Sequence, residues 1–245
     1  MIWAMSDKPL ISCLCVTRGK VPLLERAIKC FQGQSYVNRE LVIVCEDDDL
    51  ATKQFVKGLS ERQIVGVEVA ASPKLTLGKL RNLSVRKCNG EYFCQWDDDD
   101  WSHHKRLEFQ MDAMEQSKMP ACVMMYWLIF DMTESQAYVS CRRPWEGSLV
   151  CKKSLITEEL QYGEVVKGED TIVIEKLASR NLLFPIVMPN LYVYVYHGRN
   201  TFGYEHWREL FEASQPLSVH SSNIIKRILE NKYSGEEASR LLEQI

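Results

Sequence analysis

The chain has 245 residues, of which 46% are hydrophobic and 26% charged, and its formal net charge is −3. This composition is typical of a folded globular protein and excludes a disordered chain. The small negative charge excludes a protein that binds nucleic acid or an anionic membrane through its overall charge, so such binding would need a local basic patch.

Neither a membrane span nor a secretory signal is predicted. The longest apolar run, Cys122–Phe130, is too short to cross a bilayer, which takes about 18 residues. Residues Met1–Pro9 lack the basic start and apolar core of a signal peptide. The nine cysteines include no Cys-x-x-Cys pair, so we expect reduced, mostly buried thiols and no zinc site. These features predict a cytoplasmic protein, with peripheral membrane contact as the alternative.

Apolar runs and helical spacing in the first hundred residues predict four buried strands and two helices. Strands that alternate with helices predict an α/β fold with a mostly parallel central sheet flanked by helices. In such sheets, ligands bind beyond the carboxyl ends of the strands. The predicted strands are Leu10–Val16, Leu41–Cys45, Ile64–Ala70 and Tyr92–Trp96, and the predicted helices are Leu23–Phe31 and Thr76–Lys87.

The rest of the chain continues the alternation and ends in a helical tail. We predict one domain over residues 8–203, with a boundary between two halves at about residue 101, followed by a C-terminal helical appendage over 204–245. The predicted elements are a helix Lys105–Gln116, a long strand Ala121–Phe130, a hairpin of Tyr138–Arg143 and Ser148–Lys152, a helix Asp170–Ser179, and a strand Leu191–Tyr196.

The helical tail carries one apolar stripe. This stripe is expected to pack on the domain or on a second subunit, which would make the protein a homo-oligomer. Neighbouring Lys226 and Arg227 leave contact with a membrane surface open. The stripe consists of Ile224, Ile225, Ile228 and Leu229.

Four consecutive carboxylates, Asp97–Asp100, follow directly on the predicted strand that ends at Trp96. Adjacent carboxylates repel one another, so such a run needs compensation. Alternate side chains of an extended segment point the same way, which lets Asp97 and Asp99 face one ligand together. Carboxylate oxygens suit Mg²⁺ or Mn²⁺, and the run therefore indicates a metal site. A solvated acidic loop or an acidic helix N-terminus is the alternative.

A second acidic cluster, Glu46–Asp49, follows the predicted strand Leu41–Cys45. A carboxylate there could accept hydrogen bonds from a base or from ribose hydroxyls. A cap for the following helix is the alternative, and the cluster alone favours it. Because two strands with acidic ends meet at one sheet edge, the two clusters together favour a site for phosphate and metal over a helix cap.

Two later motifs are weak on their own. Gly168-Glu169-Asp170 opens a helix, where acidic residues are ordinary because they complement the helix dipole. His197 follows a strand and precedes Gly198, a position at which histidine can bind a metal, although a lone histidine is more often structural.

Taken together and in order, these motifs resemble the family 2 glycosyltransferases, which have the GT-A fold. The resemblance covers roughly residues 10 to 200. It implies that residues 8–203 are a catalytic domain, with a nucleotide-binding half at about 8–101 and an acceptor half at about 102–203. The segments that carry it are Leu10–Thr17 with the turn Val16-Thr17-Arg18, Leu23–Tyr36 with Gln34-Ser35-Tyr36, Leu41–Asp48, Gly78–Asn82, Asn89–Tyr92 with the acidic run after it, Gly168–Asp170, and Tyr196–Asn200.

The resemblance implies roles for single residues. Asp170 would be the catalytic base, with Glu169 beside it. Because the family's glycine is absent and extra Asp residues follow Asp47, the residue that contacts the nucleotide's uracil stays open among Glu46, Asp47 and Asp48. The nucleotide-sugar site would comprise Thr17, Arg18, Glu46, Asp47, Arg81, Asp97 and Asp98, and the metal ligands would be Asp99, Asp97 and His197.

The implied activity is inverting transfer of a sugar from a nucleotide-sugar to an acceptor hydroxyl, with Mn²⁺ or Mg²⁺ as cofactor. UDP is favoured as the nucleotide by family frequency only, and a glycan is the expected acceptor, with nucleic acid, protein and lipid left open. The acceptor side is expected between Phe130 and Lys167 and in the C-terminal helices. Candidates to stack on a sugar or base are Trp127, Trp145 and Tyr162, each of which could equally lie in the core.

Two other functions fit parts of this pattern. A nucleotidyltransferase acting on a sugar phosphate shares the sheet, the metal and the nucleotide, but the turn Thr17–Lys20 lacks the glycine-rich basic loop that would hold a triphosphate. A catalytically inactive nucleotide- or metal-binding module is the second alternative, and the presence of both acidic motifs disfavours it. A P-loop enzyme is disfavoured because no GxxxxGK[ST] segment occurs.

Overall fold

A computed structural model describes residues 8–157, 159–165 and 168–245. In these ranges the chain forms twelve strands and eight α-helices. The strands are β1 (Ile11–Val16), β2 (Arg39–Glu46), β3 (Ile64–Val69), β4 (Tyr92–Gln95), β5 (Trp101–Ser102), β6 (Ala121–Met124), β7 (Leu128–Asp131), β8 (Gln136–Val139), β9 (Trp145–Lys152), β10 (Leu183–Ile186), β11 (Tyr192–Tyr196) and β12 (Gln215–Pro216). The helices are α1 (Val21–Gln32), α2 (Leu50–Lys57), α3 (Leu77–Lys87), α4 (Arg106–Ser117), α5 (Thr171–Ser179), α6 (Tyr204–Glu212), α7 (Val219–Leu229) and α8 (Gly235–Leu242).

The central sheet has seven strands in the order β10-β6-β9-β4-β1-β2-β3. Four of its pairings are parallel, and β9 runs antiparallel to both of its neighbours. The predicted α/β class with a mostly parallel sheet is confirmed. The reversal of β9 matters for the site, because it brings the start of β9 to the edge where β4 ends.

Helices cover both faces of this sheet, and each face has its own apolar core. Helices α1, α2 and α4 pack on one face through residues such as Leu24, Phe31 and Met111. Helices α3 and α5 pack on the other through residues such as Val85 and Ile174. The nine cysteines are all free, and most are buried in these cores, as predicted.

A second sheet of five strands, in the order β12-β8-β7-β11-β5, was not predicted, and it corrects two expectations. The predicted long strand Ala121–Phe130 is wrong, since β6 belongs to the central sheet and β7 to the second. The predicted hairpin is also wrong, because β8 pairs with β7 and β12 whereas β9 pairs with β4 and β6. Both halves of the apolar run are buried, so hydrophobicity alone could not reveal the break between them.

Helix α2 was also missed, and it explains part of the second acidic cluster. Asp49 is its N-cap and accepts a hydrogen bond from Thr52 N at 3.3 Å. The helix-cap alternative for this cluster therefore holds for Asp49.

The helices of the tail pack against the second sheet. The apolar stripe of α7 contributes Ile225, Ile228 and Leu229 to a core that also contains Phe130 and Val195. The expectation that the stripe packs on the domain is confirmed. In the ranges given above, none of the helices has the length and apolar character needed to cross a membrane.

Candidate active site

A cavity of about 750 Å³ lies at the carboxyl edge of the central sheet. The segments that follow β1, β2 and β4 reach it together because these strands are parallel and end side by side, with Thr17 N bonded to Val44 O and Trp96 N to Leu14 O. The start of β9 and the start of α5 close it from the other side. Of the predicted site residues, those that line it are Thr17, Arg18, Glu46, Arg81, Asp97, Asp98, Asp99, Glu169 and Asp170.

The residues of the second acidic cluster lie in different places and have different partners. Glu46 lines the cavity. Asp47 does not, and its Oδ1 accepts a hydrogen bond from Ala71 N at 3.0 Å, which ties the end of β2 to the segment after β3. Asp48 pairs with the Arg18 guanidinium at 2.6 and 2.8 Å on the exposed rim.

The Glu46 carboxylate is buried, and only one of its two oxygens has hydrogen-bond partners among the described residues. Its Oε2 accepts hydrogen bonds from Arg18 Nη1 at 2.5 Å and Lys74 Nζ at 2.7 Å. Its Oε1 is buried and has no hydrogen-bond partner among the described residues. A buried acceptor without a partner is costly, so this oxygen is a natural contact for a ligand N–H or O–H.

The four carboxylates of the acidic run have four different surroundings, beginning with Asp97 and Asp98. Asp97 Oδ1 accepts from Gln95 Nε2 at 3.0 Å and lies 3.3 Å from Arg81 Nη2. Burial raises the pKa of Asp97, although Arg81 opposes this. Asp98 accepts a hydrogen bond from Thr17 Oγ1 at 2.6 Å, and burial together with neighbouring Asp99 raises its pKa to about 7.

Asp99 has a lysine and a histidine as partners of one oxygen. Its Oδ2 lies 2.6 Å from Lys20 Nζ and 3.1 Å from His197 Nε2. Burial alone would raise the pKa of Asp99, but the hydrogen bond with His197 and the ion pair with Lys20 outweigh it and lower the pKa to about 2. Asp99 is therefore ionised at neutral pH.

Asp100 is buried and structural. Tyr192 Oη donates to its Oδ2 at 2.5 Å and Val195 N to its Oδ1 at 2.9 Å, so both oxygens bind β11. Burial and the neighbouring Asp99 raise its pKa well above the usual value. These bonds hold the acidic run in place between the two sheets.

A buried guanidinium connects the acidic run to the start of α5. Arg81, on α3, lies 3.3 Å from Asp97 Oδ1, 3.0 Å from Glu169 Oε1 and 3.6 Å from Asp170 Oδ2. Its charge partly compensates three carboxylates at once, which accounts for the tolerance of so many acids in one cavity.

Glu169 and Asp170 differ in exposure although they are adjacent. The side chain of Glu169 is 4% exposed and that of Asp170 is 23% exposed. Burial raises the pKa of Glu169. Asp170 is the N-cap of α5, and its Oδ1 accepts from Thr171 N at 3.0 Å, which leaves its other oxygen facing Arg81.

The residues around Asp99 fit a divalent ion that binds together with a diphosphate. Asp99 Oδ2 and His197 Nε2 lie 3.1 Å apart, so a carboxylate oxygen and an imidazole nitrogen, both possible metal ligands, are adjacent. Within the described ranges no three His, Cys, Asp or Glu side chains are grouped so as to hold a metal by themselves. Mg²⁺ commonly takes only one or two carboxylates from the protein and completes its shell with phosphate and water oxygens. Asp97 contacts Arg81, Gln95 and the Tyr192 hydroxyl, and its role as a metal ligand stays a prediction.

Several residues of the cavity were not predicted, namely Lys20, Lys74, Gly147 and Tyr194. Lys20 was visible as a charge in the turn after β1, whereas Lys74 had no recognisable signal. Gly147 lies in a tight place, because a Cβ there would be 3.0 Å from Asp97 Oδ2 and 3.1 Å from the Trp145 indole.

The three aromatic residues that were candidates to stack on a ligand differ in position. Trp145 lines the cavity and stacks on Trp127 at a ring-centroid distance of 4.8 Å. Trp127 and Tyr162 are buried in the core, and the Arg81 guanidinium lies over the Tyr162 ring at 5.7 Å. Only Trp145 of the three therefore reaches the space where a ligand would bind.

Residues 12–164 match the family model for glycosyl transferase family 2. This chain therefore belongs to glycosyl transferase family 2, as the sequence motifs had suggested. No curated protein matches the chain.

Solved structures of similar fold are glycosyltransferases of low sequence identity. One is S. aureus TarS 1-349 in complex with UDP-GlcNAc, with 12% identity and a TM-score of 0.63 over 78% of this chain and 60% of that one. Another is the mannosyltransferase PcManGT from Pyrobaculum calidifontis in complex with GDP-Man and Mn²⁺, with 15% identity and a TM-score of 0.60 over 98% of this chain and 74% of that one. The chain thus spans about 60% of the length of the first TarS structures it matches. These likenesses establish the GT-A fold.

Proposed function

We propose that this chain transfers a sugar from a nucleotide-sugar to an acceptor hydroxyl, with inversion at the anomeric carbon. The observation that carries the proposal is the shared cavity, in which Arg81 joins the acidic run to Asp170. Membership of glycosyl transferase family 2 supports it, and so do the UDP-GlcNAc and GDP-Man ligands of the two structural neighbours.

Asp170 is the proposed general base. The acceptor oxygen attacks the anomeric carbon from the face opposite the leaving diphosphate and must lose a proton as it does so. Both residues line the cavity, but Asp170 is the more exposed carboxylate, whereas Glu169 is buried beside Arg81. Glu169 is therefore proposed to position Arg81 and, through it, Asp170.

Asp99 and His197 would hold Mn²⁺ or Mg²⁺. When bound, such an ion supplies Lewis-acid stabilisation of the negative charge that develops on the leaving diphosphate. Thr17 fixes Asp98 by a hydrogen bond, and Asp100 anchors the run to β11. These contacts keep the Asp99 carboxylate in place before any ligand arrives, which reduces the reorganisation required on binding.

The Glu46 site favours a uracil base. Uracil presents one N–H between two carbonyl oxygens, whereas guanine presents two adjacent N–H donors. Glu46 offers one acceptor, Oε1, that has no partner in the described part of the chain. Its other oxygen binds two cations, Arg18 and Lys74, which can donate to carbonyls. This pattern supports Glu46 as the base contact among the three acidic candidates, and a uridine diphosphate sugar as donor.

The test is thermal unfolding with UDP, GDP and TDP and their sugars, each with and without Mn²⁺. A ligand that binds only the folded state raises stability by about 2.7 kcal/mol at a hundredfold excess over Kd. We expect a Mn²⁺-dependent shift with uridine nucleotides, followed by sugar transfer to water or to a glycan acceptor.

A pair of matched variants tests whether the Mn²⁺-dependent shift depends on Asp99. Asp99→Ala should lose the Mn²⁺-dependent shift, and Glu115→Ala, an exposed acid on α4, should keep it. A donor shift that is the same with and without Mn²⁺ contradicts the metal assignment. No shift with any nucleotide contradicts the transferase proposal as a whole, and pyrophosphate release from a nucleoside triphosphate would support a nucleotidyltransferase instead.

A further inference from the structure

The Lys20 side chain forms ion pairs with the acidic run, and its backbone is held in a fixed position. It follows Gly19, whose φ is +66°, and it is the N-cap of α1, where its carbonyl accepts from Leu23 N and Leu24 N at 2.9 Å each. The main chain of Lys20 is therefore anchored. Its side chain is 23% exposed and lines the cavity, so the ammonium end of the flexible stem can change position.

The ammonium binds the carboxylate that is the proposed metal ligand, and it also lies 3.5 Å from Asp98 Oδ1. Lys20 Nζ is 2.6 Å from Asp99 Oδ2, and His197 Nε2 is 3.1 Å from the same atom. An Mg²⁺ ion bound to that carboxylate would lie about 2.1 Å from it. A monovalent and a divalent cation at such distances from one oxygen repel each other, so each weakens the binding of the other to Asp99.

A displaced ammonium has a suitable new partner in the same cavity. A lysine ammonium is a compact charge with three rotatable donors, and lysine is a common ligand of phosphate. A diphosphate beside the ion at Asp99 would place anionic oxygens within reach of a side chain that already spans from α1 to the acidic run. The Lys20 charge would then compensate phosphate instead of carboxylate.

We propose that Lys20 is a partner-exchanging cation, which occupies Asp99 when the cavity is empty and moves to the donor diphosphate when the metal and the donor bind. This inference rests on the proposed function. Because Lys20 competes with the metal in the empty protein and assists the diphosphate in the loaded one, metal and nucleotide should bind cooperatively. Exchange of partners would leave the negative charge of Asp99 balanced by Lys20 in the empty protein and by the metal in the loaded one. It would also disfavour binding of the metal without the donor.

The test compares Mn²⁺ binding with and without UDP in the wild type and in Lys20→Met, by calorimetry and by the electron paramagnetic resonance signal of free Mn²⁺. We expect Lys20→Met to bind Mn²⁺ alone about tenfold more tightly than the wild type, because the competing cation is gone. UDP should tighten Mn²⁺ binding in the wild type by a factor within the range of about 5 to 150 that is usual for coupled sites, and by clearly less in Lys20→Met.

Control variants separate this effect from a change of fold or of overall charge. Lys20→Arg retains the cation and should keep most of the coupling. Lys79→Met removes a lysine that pairs with Glu164 outside the cavity, and it should bind Mn²⁺ as the wild type does. Thermal unfolding without ligand monitors the fold, and Lys20→Gln repeats the measurement if Lys20→Met does not fold.

Unchanged or weaker binding of Mn²⁺ alone in Lys20→Met would overturn the proposal, as would an equal effect of UDP in the two proteins. A wild type that binds no nucleotide diphosphate in the presence of Mn²⁺ contradicts the proposed function instead. The comparison with Mn²⁺ alone needs no donor, so the two failures are distinguishable.

Discussion

At the scale of single residues, Glu169 and Asp170 show how environment separates two adjacent carboxylates. Both lie near the Arg81 guanidinium, but Glu169 is almost fully buried and Asp170 retains access to the cavity. The N-cap position holds Asp170 through Thr171 N and limits its freedom to turn away. A base has to reach its proton, so accessibility favours Asp170 for that task.

We predict that Asp170→Asn lowers kcat by roughly 10²- to 10⁴-fold, the usual contribution of a general base. Asparagine retains the capping oxygen, so the start of α5 should be preserved, and affinity for the nucleotide should change little. Steady-state kinetics and a nucleotide titration measure the two quantities. Asp112→Asn on α4 is the matched control, and near wild-type turnover in Asp170→Asn would remove this residue from the mechanism.

At the scale of elements, the helical tail is part of the second sheet's core. Ile225 of α7 is fully buried and packs in one cluster with Phe130 and Val195 of the strands β7 and β11. Because β11 also binds Asp100, the tail supports the same strand that anchors the acidic run. The predicted boundary at residue 204 therefore separates segments that share one core.

We predict that Ile225→Ala destabilises the protein by about 2 to 5 kcal/mol, since it leaves a cavity in this core. Val219, on the same helix, is 75% exposed, and Val219→Ala should cost less than about 0.5 kcal/mol. Urea unfolding of both variants gives the difference. A small cost for Ile225→Ala, or a separate early transition, would mean that the tail unfolds independently of the catalytic domain.

At the scale of the whole molecule, His103 links the C-terminal helix to the segment that follows the acidic run. It is fully buried, its Nδ1 accepts from Lys105 N at 3.0 Å, and its Nε2 lies 3.4 Å from Glu243 Oε1. Burial lowers the pKa of His103 to about 4, although Glu243 opposes the shift. The imidazole is therefore neutral in the folded protein at physiological pH.

This shift predicts a pH dependence of stability. The unfolded chain binds a proton at His103 near pH 6.5, whereas the folded protein does so only near pH 4. The contribution of His103 is thus fully present above about pH 6.5 and is lost as the pH falls toward 4. We expect the stability difference between wild type and His103→Gln, measured by urea unfolding, to shift in favour of the variant between pH 7 and pH 4.5. Parallel pH profiles would show that the folded pKa of His103 is not depressed.

Much of this arrangement could be predicted from the sequence because it depends on local patterns. The strands and helices of the first hundred residues all occur, and their ends differ from the predicted ones by at most two residues, apart from the missed α2. Periodicity decides such elements within a few turns of chain. The acidic runs were recognisable for the same reason, since each follows directly on an apolar strand, and parallel strands bring their ends to one edge.

Only the tertiary structure decided how these parts combine. The apolar run from Ala121 could be divided between two sheets only by long-range pairing, and the burial that hides the break is a property of the folded core. The same holds for Lys20 on Asp99, for Lys74 on Glu46 and for the Arg81 bridge. Sequence determines which side chains carry charge and on which element they lie. Which charges meet depends on contacts between residues far apart in the chain, and these form only when the whole fold is assembled.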